Sequence, residues 1–117
     1  MIPDRPVTKR AVERNGIHLM KAFSCRSARH VVQLPGGVCP RTNEPAAAEA
    51  VISYVPGDHV LEVESLRRFM LSTWTSAGGV EDAGLAIVGG LKQALRLPVR
   101  LQLSVTLQCG SRLHLRW

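Results

Sequence analysis

Hydrophobic and polar positions alternate most regularly near the C-terminus, where Val99, Leu101, Leu103, Val105 and Leu107 interleave with Arg100, Gln102, Ser104, Thr106 and Gln108. That period of two is the mark of a strand with one buried face. Gly110-Ser111 predicts a turn, after which residues 112–117 return as another strand with Leu113 and Leu115 on one side. Upstream the period changes to that of a helix. Leu66, Phe69, Met70, Thr73 and Trp74 fall at i, i+3, i+4, i+7 and i+8, predicting a helix over 63–76 whose other face carries Glu64, Arg67 and Arg68. Gly78-Gly79 breaks it. A second helix opens near Val80 with Glu81 and Asp82 in its first turn, where the helix dipole favours negative charge. It buries Gly84, Ile87, Val88, Leu91 and Leu95 and stops before Pro98. Gly89-Gly90 inside it costs about 1 kcal/mol per glycine relative to alanine, which predicts the close approach of another backbone there.

Two more strands precede the helices. Residues 28–34 set Ala28, His30, Val32 and Leu34 against Arg29, Val31 and Gln33, and residues 47–55 carry apolar side chains on both faces (Val51, Ile52, Tyr54, Val55), so both are expected to be covered. Pro56-Gly57-Asp58 ends that strand. The order strand, strand, helix, helix, strand, strand (ββααββ) predicts an α+β fold: a four-stranded antiparallel sheet with two helices on one face. Such a sheet has two open edges, and closing a barrel with copies of itself would protect them.

A chain of 117 residues is one domain with a core of its own, expected over 27–117, with residues 1–26 set apart as a basic N-terminal arm. Only 4% of the residues are aromatic, so aliphatic side chains must fill the interior. The net charge of +6 is drawn largely from residues 1–30, where Arg5, Lys9, Arg10, Arg14, Lys21, Arg26 and Arg29 face only Asp4 and Glu13. Without interleaved aromatic residues that excess does not predict nucleic-acid binding; a phosphate-bearing cofactor or an oligomer contact would use the same charge. Ile17, Leu19 and Met20 form a short apolar patch within the arm.

Cys25, Cys39 and Cys109 are odd in number and contain no CxxC pair, so neither a disulfide framework nor a metal centre is expected, and a reducing cytoplasm is the simplest setting. His18, His30, His59 and His114 make no ligand pattern with them. No apolar run is long enough for a membrane span or a signal-peptide core.

Of the three thiols, Cys39 stands out. It lies in Gly36-Gly37-Val38-Cys39-Pro40-Arg41-Thr42-Asn43-Glu44-Pro45, a turn-rich loop between the first two strands, and loops on a rigid scaffold are where functional side chains concentrate. Cys39 is therefore a candidate nucleophile, its alternative role being that of a small buried hydrophobe.

From about Val38 to Ile87 the chain resembles the QueF family, nitrile-handling enzymes of 7-deazaguanine metabolism with the tunnelling fold. The matching residues are Cys39-Pro40-Arg41-Thr42-Asn43-Glu44-Pro45, Ile52-Ser53-Tyr54-Val55-Pro56, Glu62-Val63-Glu64-Ser65-Leu66-Arg67-Arg68-Phe69, and Glu81. The resemblance implies a thioimide formed between Cys39 and the nitrile of 7-cyano-7-deazaguanine or a related cyano heterocycle. It further implies Glu81 and Ser65 as substrate contacts, Arg67 and Arg68 beside an NADPH phosphate, and a homo-oligomer with sites between subunits. Three positions depart from the family. Ala46 stands where an aspartate acts as general acid, leaving Glu44 and Glu49 as replacement candidates; Glu64 reverses the charge of a lysine; and Val80 replaces a histidine. Reduction to the amine with NADPH and non-reductive amine addition are both compatible with these changes. The alternative is a non-catalytic tunnelling-fold protein or subunit that binds a purine or pterin through Glu81, whose simpler role is that of a first-turn carboxylate stabilised by the dipole.

Overall fold

The structure, a computed structural model, describes residues 11–14, 16–22, 24–39, 44–107 and 110–117; of residues 11, 12, 36–39 and 44–46 it describes the backbone. Along the chain come β1 (Ala11–Arg14), β2 (Ile17–Lys21), β3 (Ala28–Cys39), β4 (Glu44–Tyr54), β5 (His59–Leu61), α1 (Val63–Ser76), α2 (Val80–Leu95), β6 (Arg100–Leu107) and β7 (Arg112–Arg116). The fold is α+β, and every strand pairing is antiparallel.

Alternation does what it predicts in the larger sheet, whose order is β3-β4-β6-β7. Val32 and Leu34, Ala48, Ala50 and Ile52, and Leu101, Leu103 and Val105 all point into one core. The helices lie on this face. α1 buries Leu66, Met70 and Trp74, and α2 buries Gly84, Ile87, Val88, Leu91 and Leu95, as their spacing requires. Full burial of each large aliphatic side chain contributes about 1.5–3 kcal/mol, so this one core accounts for the shape of the sheet and helix layers.

Three strands lie outside the expected order. β1, β2 and β5 form a second sheet, so the chain does not read simply ββααββ. The physical cause is the apolar patch near the N-terminus: Ile17 and Leu19 are fully buried, and β2 finds its partner in β5, where Leu61 is also buried. Polar bonds fix the arrangement. Arg14 Nη1 donates to the Ala94 carbonyl at 2.9 Å, placing a cation at the C-terminal end of α2 where the dipole favours it. The Ala22 N–H donates to Asp58 O and the Glu62 N–H to His18 O, at 2.8 and 2.9 Å. Ala11–Arg14 and Ile17–Lys21 of the basic arm are thus strand, laid against the helices.

Three further expectations are corrected. The cysteine segment is not an irregular loop from Gly36 to Pro45, because ladder pairing continues past a register shift between Leu34 and Gly37 through Gly37–Ala46, Val38–Pro45 and Cys39–Glu44. Pro35 sits at that shift on an edge strand, a place where a missing N–H costs little. Another correction concerns β4, whose second face is not covered by the described residues: Val31 opposite Val51 is 54% exposed, and Val55 is 69% exposed. At Gly90 the close approach is made by the Phe69 ring rather than by a backbone, and Gly89 has open space beside it.

Candidate functional site

Cys39 is the last residue of β3 and stands directly opposite Glu44, the first residue of β4. Ala46, where the acid is missing, stands opposite Gly37. The motif residues Pro40 to Asn43 lie outside the described residues, as do Cys109 and the side chains of Cys39 and Glu44. Glu49 is elsewhere. It lies five residues further along β4, roughly 17 Å at strand rise, opposite Gln33, whose Nε2 donates to Glu49 Oε2 at 2.9 Å.

The helix motif begins with a cap. Glu62 precedes α1, and its carboxylate accepts from the Glu64 N–H at 2.8 Å and the Ser65 N–H at 2.9 Å. Those two backbone bonds, helped by the more distant charge of Arg68, hold the Glu62 carboxyl below its ordinary value of 4.5. Ser65 is fully buried. Its Oγ accepts from the His18 N–H at 2.9 Å and donates to the Glu62 carbonyl at 3.2 Å, so the hydroxyl joins the start of α1 to β2. Glu64, Arg67 and Arg68 are exposed on the outer side of α1.

Arg67 borders a recess of about 550 Å³ between α1 and the free edge of β3. Val63, Leu66 and Leu71 form its apolar wall, and His30 lines it from the strand. His30 is a residue that sequence reasoning passed over. Its Nε2 lies 2.9 Å from Tyr54 Oη, and the two rings stack with centroids 5.6 Å apart. Tyr54 Oη also accepts from the Leu61 N–H at 2.8 Å, tying the two sheets together. Burial lowers the pKa of His30 from its ordinary 6.5 and raises that of Tyr54 from 10.0. Both rings are therefore neutral at physiological pH. The available signal was that His30 and Tyr54 occupy core-facing positions of adjacent strands, where a polar side chain needs a partner.

Glu81 lies exposed in the first turn of α2. The principal contacts of α2 run to α1, β6 and the small sheet, whereas Cys39 ends β3. Among the described residues, no three His, Cys, Asp or Glu side chains gather as metal ligands, and no helix is long and apolar enough to cross a membrane.

The chain is similar to two curated bacterial proteins, each named NADPH-dependent 7-cyano-7-deazaguanine reductase. It is 38% identical over 58 residues to that of Allorhizobium ampelinum and 36% identical over 59 residues to that of Agrobacterium fabrum. Each match covers 50% of this chain and 38% of the relative. No family model matches the chain. Over half its length, then, the chain shows the likeness to QueF-type nitrile reductases that its cysteine segment and helix motif led one to expect.

Proposed function

We propose that this chain is a QueF-like, nitrile-acting enzyme whose substrate is 7-cyano-7-deazaguanine or a related cyano heterocycle. The observation that carries this reading is the placement of Cys39 at the end of β3 directly opposite a carboxylic residue, Glu44, in a chain that resembles nitrile reductases over half its length. A thiolate adds to the nitrile carbon, a C–S bond forms as one C–N π bond opens, and the nitrogen takes up a proton. The product is a thioimide. Glu44 is the proton donor in this scheme, because Glu49 lies too far along the strand and is engaged with Gln33. Glu81 grips the N–H edge of the heterocycle. Ser65 acts through position: its hydroxyl is committed to His18 and Glu62, so it sets the start of α1.

The recess beside α1 suits a phosphate-bearing cofactor, because α1 lines it with both a cation, Arg67, which has no partner among the described residues, and an apolar wall. Arg67 would hold a phosphate there and Val63, Leu66 and Leu71 would flank a ring, with Arg68 adding charge nearby. NADPH, when bound, supplies hydride. Non-reductive chemistry uses the same thioimide: an amine attacks its carbon and expels the thiolate, leaving an amidine. The tunnelling fold belongs to this reading, with the free edges β3 and β7 paired between copies and Cys39 of one copy meeting Glu81 of another in a cytoplasmic homo-oligomer.

The test is consumption of NADPH in the presence of the nitrile. Cys39→Ala abolishes it, Glu44→Gln slows it by about 10²–10⁴-fold as expected for loss of a general acid, and Glu49→Gln leaves it within about twofold. Consumption that persists in Cys39→Ala contradicts the proposal. Ala46 favours a second reading, a non-catalytic purine or pterin binder, which would bind its ligand equally well in Cys39→Ala and lose it in Glu81→Ala.

A further inference from the structure

The face of the large sheet turned away from the helices is built in rows. Gln33, Glu49, Ser104 and His114 form one row, and its polar groups are matched: Gln33 with Glu49 at 2.9 Å, and Ser104 Oγ with His114 Nδ1 at 3.0 Å. A different row crosses the other end. Arg29 pairs in register with Ser53, and Ser53 with Arg100, so two guanidinium groups flank one hydroxyl across three adjacent strands. Among the described residues neither arginine has a hydrogen-bond or ion-pair partner. The only carboxylate side chain on this face among the described residues, Glu49, lies roughly 13 Å up the sheet and is already held by Gln33.

Two like charges about 10 Å apart, at the spacing of two strand steps, repel one another and add nothing to the fold. An anion between them reverses that sign. The three side chains open onto a recess of about 510 Å³ whose remaining lining includes Val55 and Pro98. We propose that Arg29, Ser53 and Arg100 form a binding site for a phosphate monoester. The planar forks of the two arginines each present paired N–H donors to a phosphate, the serine hydroxyl adds another donor, and the organic part of the monoester lies over Val55 and Pro98. Arg29 and Cys39 are ten positions apart on β3, roughly 30 Å at strand rise, so the site is separate from the thiol and does not depend on the nitrile reading.

Calorimetric titration of the full chain with adenosine 5′-monophosphate, inorganic phosphate and adenosine tests this. The monoester binds, while adenosine and inorganic phosphate each bind at least about tenfold more weakly. Arg100→Gln and Arg29→Gln each weaken the monoester by about tenfold or more, the usual scale for losing charge-assisted hydrogen bonds. Arg112→Gln, on the same face but outside the row, and Arg67→Gln, at the α1 recess, change it less than about twofold. All four side chains are exposed, so the folded state tolerates the substitutions. The site is overturned by absence of binding at millimolar monoester, by equal losses in Arg112→Gln and Arg100→Gln, or by a loss in Arg67→Gln that Arg100→Gln does not share. Inorganic phosphate binding as tightly as the monoester overturns the role of Val55 and Pro98.

Discussion

Tyr54 ties the two sheets together, because its hydroxyl serves the Leu61 N–H in one sheet and His30 in the other. Tyr54→Phe keeps the ring but leaves a buried N–H unpaired, so a loss of about 1–3 kcal/mol is expected in urea unfolding. A loss below about 0.5 kcal/mol would mean that water replaces the hydroxyl. His30 adds a pH dependence. Its folded pKa lies below 6.5, so the unfolded chain binds the extra proton, and the stability it contributes is full above pH 6.5 and falls as pH drops through that value. His30→Gln should flatten the dependence between about pH 7.5 and 5.5. The Glu62 window is separate: its folded pKa is depressed, so its contribution is present above 4.5 and is lost as pH falls through the folded value. Glu62→Ala should cost about 1 kcal/mol at neutral pH, the usual worth of a helix cap, and progressively less in acid. Neither network was legible in the sequence, since each joins residues whose pairing depends on register or on a cap that glutamate seldom supplies.

At the scale of elements, both helices were legible because each has a long stripe of large apolar residues at one period. Gly84 and Gly89 separate packing from propensity within α2. A Cβ at Gly84 would run into the Trp117 indole, so Gly84→Ala should destabilise by about 1–3 kcal/mol, as overpacking does. Gly89 has nothing within reach, so Gly89→Ala should stabilise by up to about 1 kcal/mol through helix propensity. Thermal unfolding should move the two variants in opposite directions, and a shared direction would contradict the helix packing described. The small sheet was not legible for the opposite reason. β5 has three residues, β1 has four, and the N-terminal apolar patch could be seen without any sign of the partner that covers it. The cysteine segment misled because Gly and Pro there mark a register shift on an edge strand as readily as a loop.

The whole molecule presents one finished face and one unfinished one. Among the described residues, the helices and small sheet cover the core side, while the other side of β3-β4-β6-β7 leaves Val31, Arg29 and Arg100 open, and both outer strands keep a free edge. Assembly into a barrel of copies follows from the proposed function, and it would bring Cys39 and Glu81 together from different subunits. Light scattering at micromolar concentration should then report an oligomer; a monomer would leave Glu81 without a thiol to serve. The sequence offered Cys39 as a candidate nucleophile from its Gly- and Pro-rich setting and Glu81 as an anchor through a resemblance, whereas the proposal of Glu44 over Glu49 rests on the strand register. The most direct measurement is the intact mass of the protein after mixing with 7-cyano-7-deazaguanine in the absence of nucleotide. An increase by the mass of one whole nitrile, absent in Cys39→Ala, is the expected result. An unchanged mass in the unsubstituted protein, or an equal increase in Cys39→Ala, would contradict covalent capture at Cys39.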